Sequence, residues 1–176
     1  MTAEMGLVRG PGVKTSALAK PRQLVLTSGK IAGEGFAMFQ SMMTPILALV
    51  CWTLIMWVWL YATRIPAMRK VGIDPATVKD KSAMDRLPIE VRRIADNYNH
   101  LHEQPVIFYA LVLYSHLVGV SDEFNIMLAW AYVLIRVVHS LIQCLWNFVP
   151  MRFLVFCLGS IVLVIMAVRN VMAVLA

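Results

Sequence analysis

Charge is scarce in this chain: 15% of its 176 residues are Asp, Glu, Lys or Arg, against 60% hydrophobic, and the mean hydropathy is +0.71. A single domain of this size has too little interior to hide that much apolar surface, so an ordinary water-soluble fold is excluded. Cysteine is scarce as well. Cys51, Cys144 and Cys157 all stand in apolar segments with no paired spacing, which argues against a disulfide framework or a zinc site and leaves them as packing residues. There is no internal repeat, so one small bundle is expected rather than two domains. There is also no aromatic-basic module of the kind that binds nucleic acid. The net charge of +6 therefore suits an anionic membrane surface. The first residues lack a compact apolar core followed by a small-residue cleavage site, so no secretory signal is read there.

What is abundant is uncharged sequence. Thr44 to Tyr61 carries no charge over 18 residues, a rise of about 27 Å as a helix, and brings Trp52, Trp57, Trp59 and Tyr61 toward its end. Gln104 to Ser121 is a second uncharged run, expected to be extended backwards by a polar helix that starts after Pro88. Phe124 to Trp146 gives a third, interrupted by Arg136, and Phe153 to about Val174 a fourth. The expectation is an all-α membrane protein, a four-transmembrane-helix bundle with spans at about 44–62, 91–119, 124–147 and 152–174. Residues 1–42 form an N-terminal extension ahead of a 43–176 transmembrane domain. The tail is rich in Gly and Pro and is expected to engage a protein partner, such as a larger membrane complex, or to pack over neighbouring subunits. Lys and Arg concentrate between Ala62 and Pro105, and Arg152 opens the fourth span on the same side. This places the long first loop in the cytoplasm.

The polar residues inside the apolar runs are not scattered. Arg136, His139, Ser140, Gln143 and Asn147 fall at i, i+3, i+4, i+7 and i+11, one face of a helix otherwise built from Leu, Ile, Val, Cys and Trp. Lipid does not solvate such a face, so it is expected to look into a protein-lined or water-filled cleft. On the preceding helix Arg92, Arg93, Asp96, Asn99, His100 and Glu103 share one side. Because the third span runs antiparallel to the second, both polar faces converge at the basic end, where Arg152 follows. That collection of Arg, His, Glu and amides suits an anionic, hydrogen-bonding ligand. A structural reading stands beside it. Glu103 and Arg136 are a candidate ion pair fixing helix register, His139 a candidate interhelical hydrogen bonder, and Arg152 a candidate for snorkelling to phosphates.

The stretch Asn97-Tyr98-Asn99-His100-Leu101-His102-Glu103-Gln104-Pro105-Val106-Ile107-Phe108-Tyr109, together with Arg136-Val137-Val138-His139 and Arg152, resembles the membrane-associated proteins in eicosanoid and glutathione metabolism, the MAPEG family, in a bacterial-type form. The resemblance covers roughly Thr44 to Ala176. It implies a homotrimer of four-helix subunits in the bacterial inner membrane, with glutathione held between neighbours near the cytoplasmic side. It also implies a glutathione-dependent transferase or peroxidase acting on lipophilic electrophiles. Arg152 then matches the arginine that stabilises the glutathione thiolate, and Glu103 the carboxylate that receives its amino group. Arg92 or Arg93, with Asn99 or His100, match the groups that hold its carboxylates and backbone, and His139 and Gln143 complete the pocket. Departures from the family pattern concentrate in that pocket. Gln143 and Phe156 stand where glutathione-using members commonly carry tyrosines, Phe153 where Ser is frequent, and His100 where many members have Asn. A non-catalytic scaffold or accessory subunit that keeps the family fold is therefore the second expectation.

Overall fold

The computed structural model describes residues 41–74, 76 and 81–176, so the expectations placed on the N-terminal extension lie outside the described residues. Within them the chain is helical. α1 spans Thr44–Val71, a short 3-10 helix covers Lys81–Arg86, and α2 (Ile89–His100), α3 (Gln104–Leu117), α4 (Glu123–Leu145) and α5 (Val149–Leu175) follow. Prolines set two starts: Pro45 and Pro150 each sit in the first turn of a long helix, where a missing N–H costs nothing. α1 ends at Gly72, whose φ of 69° turns the chain left-handed. The Gly72 N–H donates to the Arg69 carbonyl and that of Ile73 to the Met68 carbonyl, which closes the last turn over a buried Met68–Ile73 contact.

Among the described residues three helices are long and apolar enough to cross a membrane: α1, α4 and α5. This is an integral membrane protein. The second span differs from the single helix expected from the sequence. α2 stops at His100, residues 101–103 make turns, and α3 restarts with Pro105 in its first turn. The reason is local. A proline at 105 has no N–H for the Leu101 carbonyl and its ring crowds that oxygen, so a continuous helix would lose a bond at this point. The 14 residues of α3 rise about 21 Å, short of a hydrocarbon core of about 30 Å.

α4 is the central helix. It packs on α5, α2 and α1, while α3 lies on α5 and α1 on α2. Half of its most apolar stretch is buried, against 17% for α1 and for α5, which present most of their surface outward. Leu49, Phe108, Val112, Leu128, Tyr132, Leu163 and Met166 form one apolar layer drawn from α1, α3, α4 and α5. Met56, Leu60, Ile94, Leu101 and Cys144 form a second between α1, α2 and α4. Arg136, His139, Ser140 and Gln143 are all buried on the inward face of α4, so the polar stripe faces the bundle and not lipid. At the acidic end, Arg169 Nη2 donates to Asp122 at 2.7 Å and its Nε to Asn125 Oδ1 at 2.8 Å, tying α5 to the start of α4.

Candidate functional site

At the opposite end, Asn147 reverses the chain between α4 and α5. Its φ of 52° is left-handed, a conformation asparagine tolerates better than most side chains, and its N–H closes on the Ile142 carbonyl at 2.7 Å. The same residue holds the first turn of α5 by its side chain: Oδ1 accepts a 2.6 Å hydrogen bond from Arg152 Nη1. One guanidinium edge is thereby fixed and the rest of the group is left for a ligand. Beside it a cavity of about 200 Å³ is lined by His100, His139, Val149, Arg152, Phe153 and Phe156. The His100 and His139 rings meet edge-on with centroids 6.4 Å apart, and the His139 and Phe156 rings are equally spaced. His100 Nδ1 lies 3.0 Å from Glu103 Oε2. A carboxylate only accepts, so Nδ1 carries the proton and Nε2 is free to face the cavity.

Of the residues picked out from the sequence, Arg152, His100 and His139 come together in this cavity, with Glu103 attached through His100. Arg92 and Asn99 do not join them. They line a separate, larger cavity of about 430 Å³ on another face of α2. Arg93 lines neither, and its Nε is buried without a hydrogen-bond partner. Gln143 is buried inside the bundle, where its Oε1 also has none.

The expected Glu103–Arg136 ion pair does not form within the subunit, because the break at 101–103 turns Glu103 outward onto His100. Arg136, only 2% exposed, instead donates from Nε to the Tyr132 hydroxyl at 2.9 Å and lies over the Tyr132 and Phe156 rings at 5.6 and 5.7 Å. The Tyr132 hydroxyl reaches Gln104 Oε1 at 3.4 Å, and Gln104 Nε2 donates to Ser160 Oγ at 2.6 Å. Arg136 Nη2 has no partner. Sequence reading missed this chain of contacts, although Tyr132 stands one helical turn before Arg136 on the same stripe. Gln104 and Ser160 carried no such signal, since their meeting depends on how α3 and α5 dock.

Chemically, the small cavity offers a fixed guanidinium, two imidazoles and a nearby carboxylate, against an apolar wall of Val149, Phe153 and Phe156. This arrangement suits a ligand with a soft or anionic head and an ammonium group. No curated protein and no solved structure matches the chain. The sequence profile of the MAPEG family matches residues 42–172. That stretch holds α1, α4, α5 as far as Met172 and the residues lining both cavities, and on it the chain belongs to the MAPEG family.

Proposed function

We propose that the protein is a glutathione-dependent transferase or peroxidase acting on lipophilic electrophiles. We further propose that it works as a homotrimer of four-span subunits, α3 crossing with its α2 extension, in the bacterial inner membrane with the Lys81–Arg86 loop in the cytoplasm. The observation that carries this reading is the Arg152 guanidinium, held by Asn147 at the mouth of the His100–His139 cavity. A fixed positive group beside a thiol favours the thiolate, which is the nucleophile, and the thiol proton leaves to water. In this reading Glu103, paired with His100, receives the glutathione ammonium. Arg92, Arg93 and Asn99 lie outside this cavity and are not assigned to glutathione here.

As a transferase, the thiolate sulfur forms a bond to an electrophilic carbon and the displaced or neutralised group takes up a proton. As a peroxidase, two glutathiones and a hydroperoxide yield glutathione disulfide, an alcohol and water. Either electrophile reaches the site past the exposed Phe153 and Phe156, whose apolar surfaces suit a partner dissolved in the bilayer. The test is ultraviolet difference absorbance of glutathione thiolate on the purified chain. The wild type is expected to show the thiolate band, and Arg152→Ala to lose it while the assembly stays intact. An absent band in an intact wild-type assembly removes the enzyme reading. The phenyl rings at 153 and 156, with no hydroxyl to reach a thiolate, favour a second reading in that event: a non-catalytic scaffold or accessory subunit that keeps the fold.

A further inference from the structure

A second cavity lies apart from the one beside Arg152. It opens between the basic end of α1, the 3-10 segment and the outer face of α2, and measures about 430 Å³. Its polar lining carries two guanidiniums, Arg64 and Arg92, two carboxylates, Asp85 and Asp96, and the Asn99 amide. These groups satisfy one another poorly. Arg92 Nη1 approaches Asp85 Oδ1 only to 3.5 Å, and Arg92 Nε is buried with no hydrogen-bond partner. Among the described residues Arg64, Asp96 and Asn99 make no side-chain hydrogen bond or ion pair. Guanidiniums and carboxylates lining one concavity, with a single long Arg92–Asp85 pair between them, disfavour two kinds of occupant. A simple anion would face both carboxylates, and a simple cation both guanidiniums. The complement is a zwitterion.

Position narrows the choice. Arg64 lies one helical turn beyond Tyr61, the end of the uncharged run of α1, and so at headgroup depth. Ile89 on the rim is 43% exposed, and Leu87 and Val91 add apolar surface to the lining. A planar guanidinium matches phosphate oxygens, while a carboxylate pair accepts N–H bonds from a primary ammonium. We infer that this cavity binds a group joining a phosphate to a primary ammonium, the headgroup chemistry of an ethanolamine phospholipid, with phosphate on Arg64 and Arg92 and ammonium on Asp85 and Asp96. The inference does not rest on the glutathione reading.

The test is equilibrium binding of acyl-labelled phospholipids to the full chain, purified and delipidated in detergent. The ethanolamine lipid is expected to bind about tenfold more tightly than the choline lipid, whose methylated ammonium has no N–H for Asp85 and Asp96. In Asp85→Asn/Asp96→Asn that preference is expected to vanish while binding of the anionic glycerol lipid rises. Both aspartates are exposed, so the variant is expected to keep its fold, and an unchanged melting temperature in detergent serves as the control. Free phosphoethanolamine separates the sources. Competition at the affinity of the lipid assigns the same chemistry to a soluble phosphoester, whereas weak competition assigns it to the membrane. Equal binding of ethanolamine and choline lipids by the wild type overturns the proposal. So does a preference that survives in the double variant, or displacement of the lipid by glutathione.

Discussion

Asn147 does two jobs that substitutions can separate. Its left-handed backbone costs a β-carbon-bearing residue about 1–2 kcal/mol, and its amide oxygen anchors Arg152. Asn147→Gly is expected to fold as well as the wild type, because glycine takes the same φ freely. It releases the guanidinium, so glutathione thiolate forms only at higher pH in the ultraviolet titration. Asn147→Asp goes further, since a carboxylate 2.6 Å from Nη1 neutralises the cation that a thiolate needs. Asn147→Ala combines the loosened arginine with lower thermal stability. An unshifted titration in the glycine and aspartate variants would remove Asn147 as a positioning residue. The polar stripe containing Asn147 was legible in the sequence because 3.6-residue spacing alone brings Arg136, His139 and Gln143 to one face. Its partners were not. Arg136 takes Tyr132 in place of Glu103, a choice that depends on the turn at 101–103 and on ring stacking, neither of which periodicity records.

Between helices, close approach is set by Gly159 on α5. A β-carbon there would sit 3.4 Å from Ile135 Cγ2, 3.5 Å from Tyr132 Cε2 and 3.6 Å from Gln104 Oε1, which leaves room for a methyl group and nothing larger. Gly159→Ala is therefore expected to be neutral or slightly stabilising, since alanine favours the helix by about 0.5–1 kcal/mol. Gly159→Leu pushes α5 off α4 and breaks the Tyr132–Gln104–Ser160 chain, at a cost of about 1–3 kcal/mol. Thermal unfolding in detergent distinguishes the two, and equal melting temperatures would show that the contact is slack. The long helices were readable from uncharged runs and tryptophan placement. The split of the second span was hidden for a specific reason. The expected span of 91–119 ran through Pro105, whose effect reaches back four residues to the Leu101 carbonyl and ends α2 at His100.

Sidedness is the property of the assembled protein most open to direct measurement. With the three native cysteines replaced, a cysteine at Ser82 is expected to react with an impermeant maleimide only from the cytoplasmic face, and one at Glu123 only from the other. The reversed pattern would invert the topology argued from Lys and Arg, which sequence alone could suggest but which no helix geometry decides. Membrane class and family were legible because composition and a contiguous motif carry them. The division of the expected site into two cavities was not, since Asn99 and His100 are sequence neighbours that face different ways around α2. The burial of Arg136 has a consequence for biogenesis. An arginine at the centre of a lone segment costs about 2.5–3.5 kcal/mol to partition from the translocation channel into lipid. α4 is also the least hydropathic of the three spanning helices, at 1.6 against 2.0 and 2.5. It therefore gains most by waiting at the channel until α5, the greasiest of the three, emerges behind it, so the most apolar spanning helix escorts the most polar spanning helix into the bilayer.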